Sequence, residues 1–480
     1  MKNALANGTL QRELGLTSAI VLVIANMVGT GVFTTSGFIL AELGNPQSLL
    51  LCWLAGGLFA LTGALCYGEL GAMMPQAGGE YIYLRKSFGP LPAFLSGWIS
   101  LIVGFSAPIA AAGIACATYL LGGSGSSWFT FELGEYRILT LSTTTLCAIT
   151  VVLVFSFIHY HSLKMGQRVQ NLLTAFKILF ILVLGGGGLL FGNGDATRLG
   201  QALFSNSATF NSATFAVSLI FVSFAYSGWN AAAYLGGEIR NPERNLPLAL
   251  LIGTAFVSLL YLLLNLVYLY ALPVSSMSGM LEVGTGAATA LFGPAVGSVV
   301  GIAVALGLLS VISAMIMAGP RVYYAMARDG HFFRSFGKID AAHHTPAVAI
   351  MFQALIAIIM ILSAAFDTLL IYIGFTLSLA AMLTVAGLIK LRITQPELPR
   401  PYRTWGYPFT PLLFIAGNLW IVVHSLISRP MVALYGFGTI AVGVCLYLGF
   451  RTRDQDQKQQ HNGTDHERNQ ETNKSSRCFS

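Results

Sequence analysis

Charge is scarce in this 480-residue chain: 9% of its residues are Asp, Glu, Lys or Arg, while 55% are apolar. A soluble domain is roughly a quarter charged, so that shortage excludes an ordinary water-soluble core. Cysteine is scarce as well. Cys52, Cys66, Cys116, Cys147 and Cys445 fall within apolar segments, Cys478 falls in a polar tail, and no two form a CxxC pair. Neither a disulfide framework nor a zinc site is indicated. The net charge of +7 comes without any basic run or stripe that could track phosphates, which excludes nucleic acid as a partner. The alternating segments of about ten residues that mark a membrane barrel are missing. The first apolar segment lacks a small-residue cleavage pattern and is read as a retained helix rather than a signal peptide.

What the chain does have is a succession of apolar runs of about 20 residues, each long enough to cross a hydrocarbon layer of roughly 30 Å. With no water in that layer to satisfy the backbone, such runs must be helices. Helices are expected near 14–41, 47–73, 90–121, 138–160, 167–192, 210–238, 246–271, 293–328, 345–365, 366–392, 408–428 and 430–450. The chain thus divides into an N-terminus (1–13), a first set of five helices (14–192), a second set (210–392), two further helices (408–450) and a polar tail (451–480). The tail's composition reads as disordered. Its Asn462-Gly463-Thr464 and Asn473-Lys474-Ser475 match a glycosylation pattern but are assigned no function. An even helix count puts both termini on one side. Twenty-two of the 26 Lys and Arg residues lie at the termini or in alternate loops, with Arg137, Arg198 and Arg429 opposite. Both termini are therefore expected in the cytoplasm, in a plasma (inner) membrane.

Helix 1 carries Asn26-Met27-Val28-Gly29-Thr30-Gly31-Val32-Phe33, two glycines around a hydroxyl in mid-span. Alone, this fits a broken helix or a close-packing face for a neighbour equally well. Helix 6 carries a second interruption, Phe224-Ala225-Tyr226-Ser227-Gly228-Trp229-Asn230, near the middle of its own span. Matching interruptions in the first helix of two five-helix sets point to an inverted-repeat transporter. An unwound segment exposes amides that favour an anion and carbonyls that suit a cation, so a zwitterion fits without any charged side chain. Its carboxylate is expected on the amides near Gly29, Thr30 and Gly31, and its ammonium on the carbonyls near Met27, Phe224, Ala225 and Ser227. Asn26, Val28, Gly228 and Trp229 complete the expected substrate site.

Lys177 lies about ten residues into helix 5, roughly 15 Å deep. Placing a lysine there costs about 2.5–3.5 kcal/mol, and no Asp or Glu lies at comparable depth. Its ammonium must reach carbonyls or hydroxyls, or lose its proton. The functional reading puts Lys177 where another transporter holds a sodium ion, bridging helices 1 and 8. The alternative is a snorkelling lysine. Gly185 to Gly188 are read as a packing or hinge feature, since no phosphate-loop Gly-Lys-Ser/Thr follows. His159, His161, His343 and His344 are read as solvated loop residues, and Glu69 and Glu80 as solvated helix ends, with a gate salt bridge as the alternative. No metal, cofactor or enzymatic site is expected, because the interior offers little beyond hydroxyls and thiols.

These residues, with Pro75-Gln76-Ala77-Gly78-Gly79-Glu80-Tyr81, Glu238-Ile239-Arg240-Asn241-Pro242-Glu243-Arg244-Asn245-Leu246-Pro247 and Pro401-Tyr402-Arg403, make a chain that resembles the amino acid-polyamine-organocation (APC) permeases, within them the L-type amino-acid transporter branch. The resemblance covers residues 12–450. It implies an all-α LeuT-like five-plus-five inverted repeat with discontinuous helices 1 and 6 and two added helices. It also implies Gly29, Thr30 and Gly31 on the substrate carboxylate, Phe224, Ala225 and Ser227 on its amine, Phe224 as a gate, and Lys177 as the mark of sodium-independent transport. Thr30 departs from the commoner serine, and Ser227 from a frequent glycine. The loop Gly122 to Arg137 lacks the cysteine that, in eukaryotic light chains, links to a glycoprotein partner, so no disulfide-linked heavy subunit is expected. The function expected is alternating-access transport of a neutral L-amino acid, by sodium-independent exchange or with a proton as co-substrate. The alternatives are transport of cationic amino acids or amines, and an amino-acid receptor that moves nothing.

Overall fold

The computed structural model describes residues 12–121, 126–133, 136–161, 163–204, 212–340, 345–363, 366–428, 430–431 and 433–450. The polar tail with its two triplets, His343, His344 and Arg429 lie outside the described residues. Among the described residues ten helices are long and apolar enough to cross a membrane, and two of the shorter apolar helices, Ser212–Tyr226 and Ala347–Ser363, bring the set to twelve. Helices 1 to 5 occupy Leu16–Leu43, Pro46–Met73, Pro90–Leu121, Thr143–His161 and Leu163–Phe191. Helix 6 is Ser212–Tyr226 with its continuation Ala231–Tyr234. Helices 7 to 12 occupy Pro242–Ala271, Pro294–Arg328, Ala347–Ser363, Phe366–Thr394, Phe409–Ser428 and Ala433–Phe450. The bundle face that holds Leu14 is called proximal, the opposite one distal.

Local chemistry sets the ends. Helix 2 opens with Pro46 in its first turn, and the Asn45 side chain accepts from the amides of Gln47 and Ser48. Proline costs nothing there because its missing N–H would have no partner. Helices 3, 7 and 8 also begin on prolines, after Gly89, Asn241 and Gly293, whose φ values are 93°, 46° and 92°. The Asn241-Pro242 start places helix 7 four residues earlier than the hydropathy pattern does. Helix 3 widens to a π-helix over Ser100–Ser106, and Ala107 donates to the carbonyl of Ile102. Pro108 explains the shift, since it can neither donate to the residue four before it nor clear that residue's carbonyl.

Helix 4 begins at Thr143 and not near 138. Residues 136–142 instead form the second strand of a hairpin, β1 (Ser127–Leu133) with β2 (Tyr136–Ser142), pairing Phe129 with Leu141 and Phe131 with Leu139. Hydropathy merges these residues with helix 4, whereas their period of two belongs to a strand. Helices 1, 3 and 8 are buried along most of their length. Helix 5 turns Leu172, Leu179, Val183, Leu190 and Phe191 outward, the apolar surface that a lipid-facing helix needs.

Helices 1 and 6 are both broken. Helix 1a ends at Met27 and helix 1b starts at Thr30, with Val28 and Gly29 outside helical geometry. Helix 6a ends at Tyr226, and Ser227–Asn230 form a turn in which Gly228 has φ 93°. The breaks touch. A Cβ on Gly228 would stand 2.9 Å from the carbonyl carbon of Asn26, and one on Gly31 would stand 2.4 Å from Ala225 Cα. A Cβ on Gly29 would meet nothing closer than Val311 side-chain atoms at 3.7 Å and the Met27 carbonyl oxygen at 3.8 Å, ordinary contact distances. Gly31→Ala is therefore expected to destabilise the detergent-solubilised protein by about 1–3 kcal/mol through overpacking, and Gly29→Ala to leave its melting temperature close to wild type. Equal melting temperatures for the two variants would contradict the close crossing.

Candidate functional site

A break exposes amides on one side and carbonyls on the other. Helix 1b begins after Gly29, which has no side chain to cap the first amides, so this helix start is a place for negative charge. The carbonyl side is engaged by side chains from far along the chain. The Tyr261 hydroxyl, from helix 7, lies 2.5 Å from the carbonyl oxygen of Met27 and 2.9 Å from that of Ala225, tying the two breaks through one proton. Lys177 Nζ donates to the carbonyls of Ala25 at 3.1 Å and Val28 at 2.6 Å.

Lys177 is fully buried and pairs with no carboxylate among the described residues. Its ammonium bonds helix 1, while its stem lies along helix 8, with Cγ 3.5 Å from where a Gly307 Cβ would stand. The snorkelling alternative is thereby set aside: the side chain turns inward to carbonyls rather than outward to an interface.

A cavity opens beside the break in helix 6. It is lined by Asn26, Tyr226, Ser227, Gly228, Trp229, Asn230 and Tyr234, with Glu80, Phe105, Met315, Ser378, Phe414 and Asn418 across from them. Of the expected site residues, Asn26, Ser227, Gly228 and Trp229 meet at this cavity. Met27, Val28, Gly29, Thr30, Gly31, Phe224 and Ala225 lie buried at the crossing next to it. The carbonyls expected to hold an ammonium are partly taken. Met27 and Ala225 face Tyr261, and Phe224 accepts the Ser227 amide at 2.9 Å.

Several expectations need correction. Glu69 is fully buried rather than solvated, gripped by Arg392 with Nε 2.9 Å from Oε1 and by the Thr404 amide at 2.7 Å. Glu80 is buried too, and it lines the cavity across from the helix 6 break rather than standing in solvent. His159 is buried against helix 8, with Nε2 2.8 Å from Ser313 Oγ. The Gly185 to Gly188 run packs Gly185 on Leu263 and Gly188 on Val267 of helix 7. At the proximal face Glu238, just past helix 6, pairs with Arg321 of helix 8 at 3.1 Å. Tyr261 and the Glu238–Arg321 pair carried no signal in the sequence, because each partner is far away along the chain. No cluster of three or more metal-ligating side chains occurs among the described residues.

Residues 14–449 match the family described as amino acid permease. The chain is 31% identical over 425 residues to the b(0,+)-type amino acid transporter 1 of Mus musculus, covering 88% of this chain and 84% of that protein. It is 30% identical over 446 residues to the large neutral amino acids transporter small subunit 2 of Homo sapiens, covering 92% and 80%. To the serine/threonine exchanger SteT of Bacillus subtilis (strain 168) it is 30% identical over 451 residues, covering 92% and 98%.

Because the Tyr261 hydroxyl supplies the donor for two buried carbonyls, Tyr261→Phe should cost about 1–3 kcal/mol of stability, read as a lowered melting temperature. Tyr268→Phe, which removes a buried hydroxyl with no hydrogen-bond partner, should not lower it. A Tyr261→Phe protein as stable as wild type would remove the clamp.

Proposed function

The chain belongs to the amino acid permease family, and on that premise we propose that it carries a neutral L-amino acid across a membrane by alternating access. The observation that carries this reading is the meeting of two helix breaks at one level beside a cavity. Bare amides at the start of helix 1b suit the carboxylate of a zwitterion, and the polar turn Ser227–Asn230 suits its ammonium. Gly29, Thr30 and Gly31 serve the carboxylate, Phe224, Ala225 and Ser227 serve the amine, and Phe224 closes over the bound molecule. The family's LeuT-like architecture, five helices plus five with discontinuous helices 1 and 6, gives the two sets whose rocking exposes the site to one side and then the other.

Lys177 places a positive charge on the carbonyls of Ala25 and Val28, the kind of site that a sodium ion would otherwise fill. Transport is therefore sodium-independent, by exchange or together with a proton. A neutral substrate fits the breaks because neither contains a charged side chain, and the names of the human and bacterial relatives support that class. Arg12, Arg85, Lys86, Arg240, Arg244 and Arg328 belong to the proximal face, and this cluster of positive charge supports a cytoplasmic position for that face and both termini. The protein works in a plasma (inner) membrane without a disulfide-linked heavy subunit.

The test is a panel of labelled L-amino acids offered to proteoliposomes, preloaded or empty. Neutral amino acids should exchange equally well in sodium and choline buffers. Gly29→Leu and Phe224→Ala should each cut uptake severely, and Lys177→Met should abolish it. Saturable binding with neither accumulation nor exchange would instead make the protein a receptor, and normal uptake by Gly29→Leu would move the site elsewhere.

A further inference from the structure

Glu80 begins the short proximal helix Glu80–Phe88 and reaches the cavity wall beside Trp229, Asn230 and Tyr234. Its burial differs in kind from that of Glu69 and Glu238. Those carboxylates face Arg392 and Arg321, whereas Glu80 meets only neutral groups. The Tyr67 hydroxyl at 2.6 Å and the Asn230 amide at 2.9 Å both donate to one oxygen, Oε1. The Ser96 hydroxyl, itself buried, faces the same carboxyl.

Among the described residues no cation pairs with it. Tyr67 from helix 2, Tyr83 from Glu80's own helix and Tyr234 from helix 6 are the titratable groups that face it. Arg85, one turn along, is paired with Asp329. Lys390 of helix 10 sits over the Phe88 ring at the helix's far end, 4.7 Å from its centroid. Burial pushes the Glu80 carboxyl up from its ordinary range, against the opposing pull of the hydrogen bonds from Tyr67, Asn230 and Ser96. A carboxylic acid suits this site better than an anion, because the carboxyl is buried with the Tyr67 and Asn230 donors on one oxygen and no cation beside it among the described residues.

Position links the group to the broken helix 6. Asn230 lies in the helix 6 break. The segment before Glu80 is joined to helix 6 by the Gly78 amide, 3.0 Å from the Tyr234 carbonyl, and by a bridge between Ala77 and Leu235. We infer that Glu80 carries the co-transported proton: it is protonated while the cavity is shut from the cytoplasm and ionises when the inner part of helix 6 draws away. The proton enters from the outer solution onto a Glu80 oxygen. It leaves to cytoplasmic water once the Asn230 contact parts and the carboxyl is hydrated. The assignment rests on the transport reading above and resolves its choice between exchange and proton coupling.

Two measurements test it. The first uses the labelled amino acid that exchanges best in the panel and compares uptake with and without an acid-outside pH step. Wild type should accumulate label when the step is applied and acidify the lumen as it does so. In Glu80→Gln the ratio of stepped to unstepped uptake should fall to unity, and Glu80→Asp should restore part of it. A wild type indifferent to the step, or a Glu80→Gln protein that responds as wild type does, overturns the assignment. Failure of the wild type to exchange any label would instead sink the transport reading. The second needs no transport: infrared difference spectra of the purified, folded proteins at neutral pH should show a protonated-carboxyl band in wild type that Glu80→Gln lacks. Identical spectra in that region overturn the assignment even if Glu80→Gln is transport-dead.

Discussion

The structure depends on the contact between two unwound segments in the middle of the bundle. Helix 1 and helix 6 give up their hydrogen-bond ladders at the same level and lean on one another there, Gly228 against Asn26 and Gly31 against Ala225. Broken backbone inside a membrane is tolerated only where protein or a water-filled cavity satisfies it. Here the satisfaction comes from Tyr261 and Lys177, which bring a phenol and an ammonium from helices 7 and 5 to the freed carbonyls. These two side chains hold the breaks open as breaks. The start of helix 1b, after Gly29, carries no side-chain cap.

The same logic governs the charges. Each ion buried without a partner costs several kcal/mol, and the proximal end of the bundle answers that cost with pairs. Glu69 takes Arg392, and Glu238 takes Arg321 across the gap between helix 6 and helix 8. Lys177 takes carbonyls in place of a counter-ion. Glu80 stands apart, held only by neutral donors beside the cavity, and a buried carboxyl in that condition favours its neutral form.

Much of this was legible in the residues and some was not. Glycine, hydroxyl and amide side chains in mid-span marked both breaks, since such residues weaken a helix wherever they sit. The depth of Lys177 followed from counting residues at helical rise. What local pattern could not reveal was pairing across the chain. Tyr261 looks like any aromatic on an apolar helix, and its partners Met27 and Ala225 lie 234 and 36 residues away. Glu69 and Glu80 sit where a helix meets its loop and read as solvated, because nothing nearby announces the helix 10 arginine or the helix 6 asparagine. The strand over 136–142 was hidden by apolar residues that a hydropathy window cannot tell from the start of helix 4.

The central claim is that uncapped amides at the start of helix 1b and the polar turn of helix 6 receive the two ends of a zwitterion. The most direct measurement is an experimental structure of the protein with a transported amino acid bound. The account predicts the ligand's carboxylate within hydrogen-bond distance of the amides at Gly29 to Gly31 and its ammonium against the turn at Phe224 to Ser227. A ligand lodged elsewhere, with helix 1b closed over those amides, would contradict it.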